Sequence, residues 1–121
     1  VRSEEFFNGP LNEKSFRFAL RIVKLHRYLC NEHKEFILSK QLLRSGTAIG
    51  ALVAEGKYAQ SRADFLHKLT IALKEASETE YWIRLLHQSQ ILTDEMYQSI
   101  YSDLDEVLRL LISSTKTLKK T

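Results

Sequence analysis

Two pairs of residues in this sequence have the types and spacing of metal ligands, or of a nucleophile with its base: Cys30-x-x-His33 and Asp64-x-x-His67. Residues three apart on a helix share a face, so either pair could offer two donors to one ion. A structural zinc site needs four donors. A di-iron bundle needs two Glu-x-x-His pairs and two further carboxylates. Each pair here stands alone, so no metal and no other cofactor is expected. A thiol and an imidazole could also act as nucleophile and base. No third group that would orient the imidazole is recognisable, and no oxyanion-binding loop, so no catalytic residue is assigned and the chain is not expected to be an enzyme.

The stretch RSGTAIGALVAEG, from Arg44 to Gly56, holds three of the four glycines. A phosphate-cradling loop needs four residues between its glycines, then Lys and Ser or Thr, after a strand. Here five residues separate Gly50 from Gly56, Lys57 is followed by Tyr58, and no strand precedes. The helical reading has a mechanism. Gly46, Gly50 and Ala54 recur every four residues and line one face with almost no side chain. Each mid-helix glycine costs roughly 1 kcal/mol relative to alanine, and close helix approach is the expected offset. The partner is either a neighbouring helix of the same chain or another subunit.

A third candidate is the carboxylate set Glu75, Glu78 and Glu80 in KEASETEYW. If the helices on either side of Tyr58–Ser61 form a hairpin, Arg44 falls opposite Glu75, with Glu78 one turn further on the same face. An Arg fork between two carboxylates makes a structural ion pair that fixes register. The functional alternative is an acid/base dyad; an Arg in register favours the structural reading.

Basic residues are scattered, and Arg17, Arg21 and Lys24 form the clearest strip, on one face of the first helix. On a single copy it reads as a solvated face. Repeated around an assembly it becomes a phosphate-contacting surface. The net charge of +3 and a pI near 9.0 are compatible with nucleic acid without being diagnostic of it. No run of about 20 apolar residues is present, so no membrane partner is expected. Val1–Pro10 lacks the apolar core of a signal peptide. One cysteine excludes an internal disulfide framework and suits a reducing cytoplasm.

The elements that must position these groups are helices. In a chain of 121 residues, one domain by length, apolar residues recur at three- and four-residue spacing almost to the end. Residues 1–11 are read as a flexible N-terminal segment and 12–119 as a single domain. Asn12 is the expected first N-cap, with Glu13 in the first turn. Phe16, Leu20, Val23 and Cys30 mark one stripe of the first helix, with Phe18, Ile22, Leu25 and Leu29 beside it. After a break near Asn31–Glu35, the second helix is expected from about Ser39 to Tyr58, with Gly56 as a C-cap. Ser61 and Asp64 resemble a capping box, opening a helix with Phe65, Leu69, Ala72, Ala76, Ile83 and Leu86. Thr93 starts the fourth, striped by Met96, Ile100, Leu104, Val107 and Leu111. The basic tail from Lys116 is expected to fray. Tyr97 and Tyr101 are read as exposed; most other aromatics fall on core stripes, so no single-strand stacking platform is expected. Four helices with short connections specify an all-α, up-down-up-down antiparallel four-helix bundle.

The stretches SKQLLRSGTAIGALVAEG and DFLHKLTIALKEASETEYWIRLL, with their order of Arg-Ser-Gly-Thr, Ala-Glu-Gly, Lys-Glu-Ala and Glu-Thr-x-Tyr-Trp, closely resemble the bacterial four-helix-bundle proteins encoded by intervening sequences in 23S rRNA genes. The resemblance runs from about Ser15 to Lys119. Ala48 and Leu52 stand where the family often has Ser and Asn. The family looks related to the accessory variability proteins of diversity-generating retroelements, which implies a basic homopentamer with RNA or DNA, and a nucleic-acid-processing protein, as partners. Two functions follow as expectations. One is an oligomeric protein that binds nucleic-acid backbone through its basic surface. The alternative is a scaffold for protein–protein interaction with no nucleic acid.

Overall fold

The computed structural model describes residues 9–120. Four α-helices, α1 (Pro10–His33), α2 (Leu38–Glu55), α3 (Arg62–Gln88) and α4 (Asp94–Lys119), run up and down, with a 3-10 turn at Gly56–Tyr58. Consecutive helices pack as neighbours, and α4 closes the square against α1 along its most sparsely packed seam. The all-α four-helix bundle expected from the sequence is the fold.

Helix ends follow local chemistry. The Ser61 hydroxyl accepts the Asp64 N–H at 3.0 Å, while the Asp64 carboxylate accepts the Gln60 N–H at 3.1 Å. Thr93 accepts the Met96 N–H at 3.1 Å. The first helix starts earlier than Asn12. Pro10 occupies its opening turn, where a missing N–H costs nothing, and Leu11 is buried. The part of the expected flexible segment before Gly9 lies outside the described residues. The C-terminal turn does not fray: Leu118 continues the core stripe and is buried, and the Arg62 guanidinium donates to the carbonyls of Leu118, Thr117 and Lys120 at 2.9–3.1 Å.

The core lies where the stripes of α3 and α4 point, and is filled by Phe18, Ile22, Leu29, Leu42, Ile49, Phe65, Leu69, Ile83, Leu86, Leu104 and Leu111. On α1 only one of the two apolar stripes is core. Phe18, Ile22, Leu25 and Leu29 are buried, whereas Phe16 is 63% and Leu20 51% exposed. Beside them on α2, Ala51 and Ala54 are exposed, and no charged residue occurs from Ser45 to Ala54.

The glycines explain the α1–α2 approach. A Cβ on Gly46 would stand 2.8 Å from the Ile22 side chain, and one on Gly50 3.1 Å from the Ser15 carbonyl oxygen. Their partner is therefore α1 of the same chain. Ala54, exposed, is not part of that contact. Gly56 follows α2 with φ −57°, so it supplies no left-handed cap. It is required because a Cβ there would lie 2.2 Å from the Phe65 ring.

Candidate nucleic-acid interface

The α1 strip is not a row of free cations. Arg17 pairs with Glu13 one turn before it, at 2.7 Å. Arg21 reaches across to α4, where it donates to the Ser99 carbonyl at 3.1 Å, the Ser99 hydroxyl at 2.9 Å and the Asp103 carboxylate. Lys14 meets Glu106 on the same seam. Of Arg17, Arg21 and Lys24, only Lys24 has no hydrogen-bond or ion-pair partner among the described residues. The strip is thus a seam of both signs, because α4 brings Asp103 and Glu106 against it. Above the Arg21–Asp103 pair the seam opens into a groove of about 440 Å³ with Leu25, Tyr28, Met96 and Ile100 as apolar walls and Lys24 and Glu95 at its mouth.

Arg44 is still more fully occupied. Its two terminal nitrogens donate to Glu75 at 3.2 and 3.0 Å, and one of them meets Glu78 at 2.7 Å. The Trp82 indole N–H donates to the other Glu78 oxygen at 2.9 Å. The Trp82 bond first, and Arg44 second, hold the Glu78 carboxyl below its ordinary range. Glu75, then Glu78, raise the Arg44 pKa above its usual value. An ionised carboxylate with both oxygens engaged is a structural anchor between α2 and α3, with no proton to trade. Beneath it, the buried Thr79 hydroxyl spans the Ser45 hydroxyl at 2.9 Å and the Glu75 carbonyl at 2.8 Å.

The other sequence candidates separate. Cys30 sits near His26, not His33, with Sγ 3.7 Å from Nε2, while His26 Nδ1 is 3.1 Å from the Ser39 carbonyl. His33 hydrogen-bonds the Tyr28 hydroxyl at 3.1 Å. Asp64 is spent on the α3 cap and His67 is exposed. Among the described residues no three His, Cys, Asp or Glu side chains converge as a metal site. Tyr97 and Tyr101 are half-buried, not exposed: Tyr97 stacks on His87 at 4.1 Å and on Tyr101 at 5.6 Å. The Tyr101 phenol is pushed up by the Glu80 carboxylate beside it.

Sequence reasoning missed the outer stripe of α3. Lys74, Ser77, Tyr81, Arg84 and Gln88 are all exposed and follow one another at three- and four-residue steps, so they form a single ridge opposite the buried Leu69, Ala72, Ala76, Ile83 and Leu86. No acid lies on the ridge. Neither Lys74 nor Arg84 has a hydrogen-bond or ion-pair partner among the described residues. The signal was in the sequence, as the complement of a core stripe already recognised.

The pattern of the 23S rRNA-intervening sequence proteins matches residues 11–113. The chain belongs to that family. Among solved structures it is similar to a protein of unknown function from the S23 ribosomal protein family of Bacteroides thetaiotaomicron, with 57% identity over 88% of this chain and 98% of that one, and a TM-score of 0.86. No curated protein matches the chain. No helix among the described residues is long and apolar enough to cross a membrane. The quoted motifs contain the Arg44 anchor and the Ser45–Thr79 hydroxyl pair, which join α2 to α3, and Gly46 and Gly50, which let α2 approach α1.

Proposed function

We propose that this family member is a non-catalytic, self-associating scaffold that binds nucleic-acid backbone through cations its own fold leaves unpaired. One observation carries the reading. With intramolecular pairs accounted for, Lys24, Arg27, Lys40, Lys74, Arg84, Lys116, Lys119 and Lys120 are left without a partner among the described residues, whereas Glu32 and Glu95 are the carboxylates so left. The residual surface is cationic, and phosphates are the general ligand of such a surface. Assembly multiplies it. Phe16 and Leu20, exposed on α1 beside the stretch of α2 that carries no charge from Ser45 to Ala54, support burial against a second copy. The family's resemblance to the retroelement accessory proteins favours a homopentamer with a nucleic-acid-processing protein as a further partner, and the single cysteine suits the cytoplasm.

The test is a titration of structured RNA and duplex DNA at about 50 and 200 mM salt, where backbone contacts weaken binding steeply through counterion release, together with light scattering at micromolar concentration. Salt-sensitive binding by an oligomer is expected. A monomer across that range removes the assembly. Absence of binding at the lower salt leaves the protein–protein scaffold, which the exposed Phe16 and Leu20 favour independently.

A further inference from the structure

The cations Lys74 and Arg84 flank an aromatic ring in a way that points past backbone contacts. Tyr81 is 58% exposed. Its ring is set edge-to-face against Trp82, with centroids 5.0 Å apart and planes at 76°. Trp82 is itself fixed by its indole bond to Glu78, which Arg44 also grips. The Tyr81 ring is thus braced from one side while much of it faces solvent. Beside it, Tyr81, Arg84, Leu85 and Gln88 border an open recess of about 310 Å³ on the helix surface. Positions 81, 84, 85 and 88 are the four neighbours of one helical surface patch. Leu85 gives an apolar wall. The Gln88 amide, which has no hydrogen-bond partner among the described residues, offers both a donor and an acceptor. The nearby acids are engaged elsewhere: Glu75 and Glu78 on Arg44, and Glu80 against the Tyr101 phenol.

We propose that this recess is a single-stranded nucleic-acid site, in which an unpaired base stacks on Tyr81 beside Arg84 and Gln88. Resting on the backbone-binding reading above, it narrows the ligand to strands whose bases are free. A base in a duplex cannot present its face to a side chain, whereas an unpaired one can. Arg84 takes the adjoining phosphate. Lys74, about 15 Å along the ridge at 1.5 Å per residue, takes one further along the strand. Stacking and phosphate contact do not sense the 2′-hydroxyl, so RNA and DNA single strands bind alike.

The experiment titrates the full chain with oligouridylate, oligothymidylate and a duplex of matched length, following strand anisotropy and the fluorescence of Trp82, the single tryptophan. Both single strands are expected to bind more tightly than the duplex and to change Trp82 emission. Tyr81→Ala is expected to weaken single-strand binding roughly 5- to 100-fold without altering duplex binding, and Tyr81→Phe to retain it. Because Tyr81 is exposed, unchanged circular dichroism melting verifies that the variant folds. Tyr81→Ala binding oligouridylate as tightly as the parent overturns the stacking site; if Lys74→Ala and Arg84→Ala still weaken duplex binding, the backbone reading survives it. Equal loss for single strand and duplex also overturns the base stack. No binding of any strand at low salt overturns both.

Discussion

The α1–α4 seam and the outer ridge of α3 each carry Lys and Arg along one helical face, yet they are different surfaces. On the seam Arg21 is consumed by Ser99 and Asp103, and Arg17 by Glu13. On the ridge Lys74 and Arg84 face solvent with no partner among the described residues. Part of the difference lies within α1, where Glu13 holds Arg17. The rest lies in what the neighbouring helix presents: α4 offers Asp103 and Glu106 to Arg21 and Lys14, whereas the ridge points away from every neighbour. A basic stripe on a helical wheel is therefore half an observation until the facing helix is known.

The strongest way to break this comparison is charge reversal on each side. Lys74→Glu with Arg84→Glu is expected to weaken nucleic-acid binding on the order of 100-fold and to flatten its salt dependence by about two contacts. Arg17→Glu with Arg21→Glu is expected to act mainly on stability, read by thermal melting, since those cations are already spent. The opposite ranking in a binding titration would show that the seam opens in solution.

Next in size is the frame that sets the two surfaces apart. Gly46→Leu drives a side chain into Ile22 across the α1–α2 contact. Overpacking of this kind costs about 1–3 kcal/mol, outweighing the roughly 1 kcal/mol gained in helix propensity. A lower urea midpoint is expected. An unchanged midpoint would mean that α1 yields freely.

A smaller effect sharpens the comparison by making the seam resemble the ridge. Asp103→Asn removes the charge that occupies Arg21 but leaves the Ser99 bonds. The pair is partly exposed on both sides, so a stability loss of no more than about 1 kcal/mol is expected. Strand affinity should rise a few-fold as the guanidinium becomes available to phosphate. A fall in affinity would place Asp103 in the site itself.

The smallest effect lies in the acid limb of stability. Glu78 has a folded-state pKa below its unfolded value, first because of Trp82 and then because of Arg44. Its contribution is therefore present above the unfolded carboxylate range, near 4.5, and is lost as pH falls through the lower folded value. Trp82→Phe raises that folded value toward the unfolded one. The loss of stability as pH falls below about 4.5 should be shallower in the variant, by denaturant titration at each pH. An unchanged slope would assign the acid sensitivity elsewhere.

How much the sequence can reveal follows from how many connections separate two residues. Caps at Ser61 and Thr93 depend on three or four residues and are read directly. The facing of Arg44 and Glu75 needs one hairpin, so register through a single turn is enough to pose it. The facing of Arg21 and Asp103 joins the first and last helices. Their register accumulates over three connections, which periodicity does not encode. The two apolar stripes of α1 are a different difficulty. Phe16 and Leu20 have the same spacing as Phe18, Ile22 and Leu25, and only the positions of α2 and α4 decide which stripe is enclosed. Cys30 meets His26, four residues before it on the same helix, while His33 hydrogen-bonds the Tyr28 hydroxyl.

The grip of Arg62 on the last carbonyls of α4 has a consequence for time as well as shape. The α3–α4 hairpin is tied at one end by its connection and at the other by these bonds, which join residues 55 to 58 positions apart. A helix end normally opens many times for each opening of its middle. Here the final amides of α4 should exchange their hydrogens almost as slowly as those of its centre. Lys116, Lys119 and Lys120 then stand on a fixed post, and a polyanion meets them at a constant spacing instead of a blurred average.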